Sequence, residues 1–361
     1  MHPRHSLFCE LPRLFIADFV TLRTEIGKQP IINMDKKLLL LIINILLPFL
    51  AYAQATEVLT SLHKALADYS PYQIEFENDA VGRVPFTIKQ VGPEDKGNVM
   101  MFLSESKINE KDADIIFDTG AGVNIISEAI ADKYNLIPLN TSLSVTGVKS
   151  VSGKYAIAKE LKLGNITIKD VPFLVLPMSS KNKKSDQYFS KLEVIVGSEL
   201  MVQLKDLTLD FENNEIVIPA VLPVKSEEKP NMYISSTMNL DAMVNIQDTP
   251  VNVRIDTGDA SYGNLNYDFF RKHKDYVLSH STKGIFRIAG IGGVNKAKSY
   301  STSGMSLTLG GSTVTTPRLD VIVGKKAEIK NRLGLKSLML FGKVRFNMID
   351  LVLSTVDENN K

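Results

Sequence analysis

The stretch that decides the fold is Ile115-Ile116-Phe117-Asp118-Thr119-Gly120-Ala121, because it is answered later in the chain by Val253-Arg254-Ile255-Asp256-Thr257-Gly258-Asp259. In each copy an apolar run delivers an aspartate into Thr-Gly, the composition of a short strand that ends in a tight turn. A single Asp-Thr-Gly is most often only a turn in which the Asp bonds its own backbone. Here the surroundings recur as well. Gly147, Leu163-Gly164, Pro172, Ile195-Val196-Gly197 and Leu209-Asp210 follow the first copy, and Gly290, Leu309-Gly310, Pro317, Leu340-Phe341-Gly342 and Ile349-Asp350 follow the second in the same order. The late glycines, Gly197 and Gly342, stand 79 and 86 residues after their aspartates. The chain reads as a duplication. Asp210 and Asp350 fall at strand ends and are expected to be turn residues.

The rest of the composition narrows the chemistry. With 361 residues, 44% hydrophobic and 23% charged, the chain is long enough for two globular units. Lys plus Arg at 42 against Asp plus Glu at 40 gives a net charge of +2, which argues against a nucleic-acid binder. Five histidines and one cysteine, with no His-Glu-x-x-His or Cys-x-x-Cys spacing, point to no metal and no other cofactor. No Gly-x-Ser-x-Gly elbow or phosphate-binding loop occurs. The chemistry must come from oxygens and backbone.

Two Asp-Thr-Gly turns can supply it. Glycine permits close approach of a neighbouring backbone, and each threonine hydroxyl can bond a carbonyl across a pseudo-twofold axis. Two turns so related bring two carboxylates within hydrogen-bond distance. Such a pair cannot ionise twice at once and shares a proton, so one member acts as base towards water while the other donates to a carbonyl oxygen.

On these motifs the chain resembles the aspartic proteases, with their pepsin-like and retropepsin-like branches, over roughly residues 98 to 356. The resemblance implies an all-β, two-lobed acid-protease fold, each lobe a closed β-barrel-like domain with one or two short helices. It implies Asp118 and Asp256 as the catalytic dyad, Thr119 and Thr257 as the lock between turns, and Gly120 and Gly258 as turn-shaping residues. It also implies substrate-covering flaps around Gly147 and Val148, and around Gly290, Ile291, Gly292 and Gly293. Asp259 departs from the pattern, standing where the family has a small residue; it would raise the pair's proton affinity or point to solvent. The first flap has no tip tyrosine, although Tyr155 is near. The function implied is an exported aspartic endopeptidase acting on extended polypeptides, most readily at acidic pH. The alternative is a non-catalytic peptide-binding pseudoprotease of the same fold, which Asp259 favours. Both lobes lie in one chain, so a monomer working as a pseudo-dimer is expected.

The organisation along the chain follows. Residues 1–33 read as a non-native extension, with translation expected to start at Met34. Residues 34–53 combine Lys36-Lys37, an apolar run from Leu38 to Leu50 and Ala51-Tyr52-Ala53, the three parts of a signal peptide. The run is short for a membrane span, so no stable insertion is expected after cleavage, and the location is periplasmic or extracellular, an uncleaved membrane anchor being the alternative. Residues 54–97 form a helix over 56–69 and a lead-in, 98–218 the first lobe, 219–231 a proline-rich linker and 232–357 the second lobe. Helices are also expected over 127–134, capped by Ser127, and over 267–277.

Overall fold

A computed structural model describes residues 69, 71–77, 81–92, 97–147, 149–189, 192–222, 228–235, 237–324 and 329–356. The expected leader, the start at Met34 and the helix over 56–69 lie outside these, apart from Tyr69. The architecture is all-β and two-lobed, built on a 15-stranded and a 10-stranded sheet.

The first Asp-Thr-Gly segment forms as its pattern requires. Ile115–Asp118 is a strand buried at its first three positions. It runs antiparallel to Val99–Leu103 and parallel to Val194–Gly197, which places Gly197 opposite Asp118. Val194–Gly197 in turn pairs antiparallel with Ile125–Ser127, the strand that leaves the turn. Such a strand, covered on both faces, has to be uniformly apolar. All four of its residues are buried.

The second lobe repeats this plan with one correction to the sequence reading. Thr249–Asp256 pairs in parallel with Arg332–Gly334, placing Gly334, not Gly342, opposite Asp256. Arg332–Gly334 pairs antiparallel with Gly263–Leu265 as its counterpart does in lobe one. Gly334 lies 78 residues after Asp256, nearly the spacing of the first lobe. Leu340-Phe341-Gly342 instead follows the short helix Leu335–Met339, and Gly342 turns the chain at φ +70°. The apolar signature misleads because an arginine occupies the position that Ile195 fills in lobe one.

A shared sheet ties the halves together. Lys343–Asn347, from the second half, pairs with Asp206–Asp210, which continues through Glu215–Ile218 to Gly82–Gln90. The seam carries a two-pronged ion pair, with Arg345 Nε 3.0 Å and Nη2 2.7 Å from the carboxylate oxygens of Asp206. Asp210 is a turn residue: its Oδ1 accepts from the backbone N–H groups of Glu212 and Asn213. In the second half Asp350 is likewise in a turn, which Asn347 closes, its Oδ1 accepting from the N–H groups of Ile349 and Asp350.

Both expected helices are shorter than their sequence pattern. Ser127 ends a strand in register with Leu176, so it caps nothing, and only Ala131–Tyr134 coils, as a 3-10 turn closed by Asn135 at φ 50°. Over 267–277 two short helices form, Tyr267–Lys272 and Lys274–Ser279, the first capped by the Asn266 side chain. His273 separates them and stacks on Phe269 at 4.3 Å between ring centroids.

Candidate active site

The two Asp-Thr-Gly turns meet. Thr119 Oγ1 donates to the Ile255 carbonyl at 2.7 Å and accepts from the Thr257 N–H at 2.9 Å. Thr257 Oγ1 donates to the Phe117 carbonyl at 2.6 Å and accepts from the Thr119 N–H at 3.0 Å. Both threonines are fully buried. Four hydrogen bonds thus clamp one turn to the other, each hydroxyl using its donor and an acceptor site. The arrangement is reciprocal because the sequence is.

Across this clamp the carboxyl groups of Asp118 and Asp256 are neighbours, close enough for each to act on the other's proton. The glycines make the approach possible. A Cβ on Gly120 would stand 2.4 Å from the Asp256 carboxyl carbon, and one on Gly258 would stand 2.3 Å from that of Asp118. Each aspartate therefore rests against the other turn's glycine. Gly120 N–H donates to Asp118 Oδ1 at 2.8 Å, and Asp259 N–H donates to Asp256 Oδ1 at 2.9 Å. Burial and the neighbouring Asp256 charge push the Asp118 carboxyl up to about 7.

The second turn carries a charge that the first lacks. Arg332 Nε lies 3.2 Å from Asp256 Oδ2, and its Nη1 lies 3.9 Å from Asp259 Oδ2. Asp259 does not point to solvent. Its Oδ1 accepts from Ser261 N–H at 3.0 Å and from Ser261 Oγ at 2.6 Å. Burial raises the Asp259 carboxyl above its ordinary range, with Arg332 opposing and the Asp256 charge adding to the rise. Arg332 was not singled out from sequence. The first lobe's offset of 79 residues, applied to Asp256, falls on Leu335, next to Gly334, and Arg332 stands two residues before that glycine as Ile195 stands two before Gly197.

Both expected flap segments are hairpin tips. Ile137–Thr146 and Ser150–Leu163 are joined through Gly147 and Lys149, with Val148 outside the described residues. Ser281–Gly290 and Gly293–Thr302 are joined through Ile291 and Gly292, Gly290 and Gly293 being opposite each other. The two tips touch: a Cβ on Gly147 would lie 2.7 Å from the Ile291 carbonyl oxygen. Gly292 N–H donates to the Ser179 carbonyl at 2.9 Å. Ile291 packs against the apolar layer that contains Ile116 and Ile195, flanking Asp118. Tyr155 is no tip residue; it is buried in that same layer.

Behind the first turn lies a further acid, half-buried, with one carboxylate oxygen sealed from solvent. Glu199 follows Gly197 by two residues; it is hydrogen-bonded to the Tyr72 hydroxyl, and burial pushes it up to about 7. Its Oε2 finds no partner among the described residues. Asn124 completes the group, its Nδ2 donating to Tyr72 Oη at 3.0 Å and its Oδ1 accepting from Gly197 N–H at 3.0 Å. No cluster of His, Cys, Asp and Glu suited to a metal occurs among the described residues.

Residues 104–199 match the model of a family described as Aspartyl protease. Among solved structures, the chain is similar to the EIAV protease complexed with the inhibitor HBY-793, at 24% identity and a TM-score of 0.21, over 33% of this chain and 92% of that one. It is also similar to basic 7S globulin from soybean, at 10% identity and a TM-score of 0.46, over 76% of this chain and 94% of that one. A search of curated proteins returned no match.

Proposed function

We propose, from the match of residues 104–199 to the Aspartyl protease family model and from the paired turns, that this chain is an aspartic endopeptidase whose peptide-hydrolysing pair is Asp118 and Asp256. In this reading a water between the carboxyls gives a proton to ionised Asp256 as its oxygen attacks the scissile carbonyl carbon. Asp118 gives its proton to the carbonyl oxygen, and a tetrahedral diol forms. The diol collapses as the C–N bond breaks, the leaving nitrogen takes the proton from Asp256, and Asp118 recovers one from a diol hydroxyl. The observation that carries the reading is the pair itself, two neighbouring carboxyls on turns clamped by reciprocal threonine bonds. An extended polypeptide held beneath the two flap hairpins through its backbone is the substrate class that fits. The Ala51-Tyr52-Ala53 cleavage pattern supports export, and the presence of both turns in one chain supports action as a monomer.

A second reading, a peptide-binding protein without activity, is favoured by the ion pair of Arg332 with Asp256. One experiment separates the two. Purified mature chain is incubated with an unfolded protein from pH 3 to 8, beside Asp118→Asn and Asp256→Asn. Endopeptidase action predicts cleavage by the parent and a loss of at least about 1000-fold in each variant, the order seen when one member of a catalytic unit is removed. Binding without cleavage at every pH supports the second reading, and cleavage that survives in both variants refutes the pair.

A further inference from the structure

The two lobes treat their aspartates differently, and the difference lies in one residue. At the position opposite residue 116 in lobe one stands Ile195, while the matching position in lobe two, opposite Arg254, is Arg332. A half-buried arginine inside a sheet weighs on the fold unless its charge is answered. It is answered by Asp256 at 3.2 Å and Asp259 at 3.9 Å. The other charged groups nearby are committed elsewhere. Arg254, its cross-strand neighbour, bonds Asp241 through Nε at 3.2 Å. Lys336, on the helix that follows, bonds the Gly97 carbonyl at 2.9 Å and lies over the Tyr262 ring. Asp118 is the third acid in the field of Arg332, and it has no cation of its own in contact among the described residues.

We propose that Arg332 is a positioning residue that makes the pair asymmetric: it holds the pair's single negative charge on Asp256, the water-activating member, and so leaves the shared proton on Asp118. The inference rests on the endopeptidase reading and deepens it by dividing the roles. Asp259 is the second anchor of the guanidinium. By accepting from Ser261 with one oxygen and facing Arg332 with the other, it fixes the plane in which Nε meets Asp256. The Asp118 carboxyl is raised by burial first and by the Asp256 charge second, and the second of these fits this placement.

The consequence concerns the acid side of the activity profile. A cation in contact with one member favours the pair's first ionisation, so the singly protonated, active form persists to lower pH. The test measures kcat/KM against pH for the parent, Arg332→Lys and Arg332→Ile, the last introducing what lobe one has at this place. Arg332→Ile is expected to move the acid limb upward by about 1 to 2 pH units, the scale of an arginine on a carboxylate. Arg332→Lys is expected to return at least half of that shift. An unchanged acid limb in a folded Arg332→Ile variant overturns the proposal, as does an Arg332→Lys variant that restores nothing. An Arg332→Ile variant more active than the parent throughout also overturns it, since the arginine would then be an inhibitor of the pair. Carboxyl 13C titration of the pair in the same proteins reads the first ionisation without turnover. A parent that cleaves nothing removes the endopeptidase reading, while that titration still decides whether Arg332 sets the charge; should Arg332→Ile fail to fold, Arg332→Lys and Arg332→Gln carry the same titration.

Discussion

In the proposed endopeptidase, Asp118 sets the upper edge of the pH range. As the member that must donate, it has to be protonated when substrate binds. Its carboxyl is pushed up to about 7 by burial and by the Asp256 charge, so it holds its proton below that pH and loses it above. Activity is therefore expected to extend from acid to near-neutral pH and to fall about tenfold per pH unit beyond about 7. A kcat/KM profile checks this, and a descending limb centred near pH 4 would contradict it. The aspartates, threonines and glycines of the turns were legible in the sequence because their chemistry depends on residue type at fixed neighbouring positions. Arg332 was not legible by the same route. An apolar-apolar-Gly pattern finds the strand only where the strand is apolar, and here the site's own electrostatics replaces the first apolar residue by a cation.

The two hairpin tips proposed as flaps are where local backbone would bear on the proposed function. Gly292 has φ +85°, and a Cβ there would meet the Lys149 carbonyl oxygen at 2.7 Å. Gly311, in another hairpin turn, has nearly the same φ, +87°, with nothing within 4 Å. The two sites separate strain from contact. Gly292→Ala and Gly311→Ala are each expected to destabilise the fold by about 1 kcal/mol through the left-handed backbone. Only Gly292→Ala also forces the two flap tips apart, so it alone is expected to lower kcat/KM, by roughly tenfold, a modest misplacement of a covering element. Thermal melts beside peptide-cleavage assays test this, and equal activity in the two variants would show that the tip contact is idle. Strands such as Val99–Leu103 and Glu215–Ile218 were legible from β-branched and apolar runs between Gly, Pro and Asn. The helix expected at Ser127 was not, because that residue's strand partner, Leu176, lies far along the chain. Helical spacing over 267–277 was right in kind, but it gave no sign of the break at His273.

At the scale of the whole molecule, long-range pairing closes the structure, and it left the faintest trace in the sequence. Nothing local in Lys343–Asn347 announces that it will join Asp206–Asp210, since register across such a separation is chosen by the finished sheet. The same holds for Tyr72, whose hydroxyl reaches Asn124 and Glu199 behind the first turn while the strand after it, Gln73–Phe76, pairs with residues 166–169. This network makes stability depend on pH in a direction opposite to that of an ion-paired acid. Glu199 and Asp118 are both raised to about 7 in the folded chain, so between about pH 4.5 and 7 the folded state binds more protons than the unfolded one. Their stabilising contribution is complete below the unfolded values and is lost as pH rises through 7. For Glu199 the loss is at most about 3 kcal/mol, the linkage value for a rise of that size. Glu199→Gln keeps a carbonyl to accept from Tyr72 and removes the ionisation. Its melting temperature is expected to decline less from pH 5 to pH 8 than the parent's and to exceed it at pH 8, with Asp118→Asn flattening the remainder. Parallel melting curves for the parent and for Glu199→Gln across that range would mean that Glu199 is already ionised in the folded chain, and that burial behind the first turn is relieved by solvent.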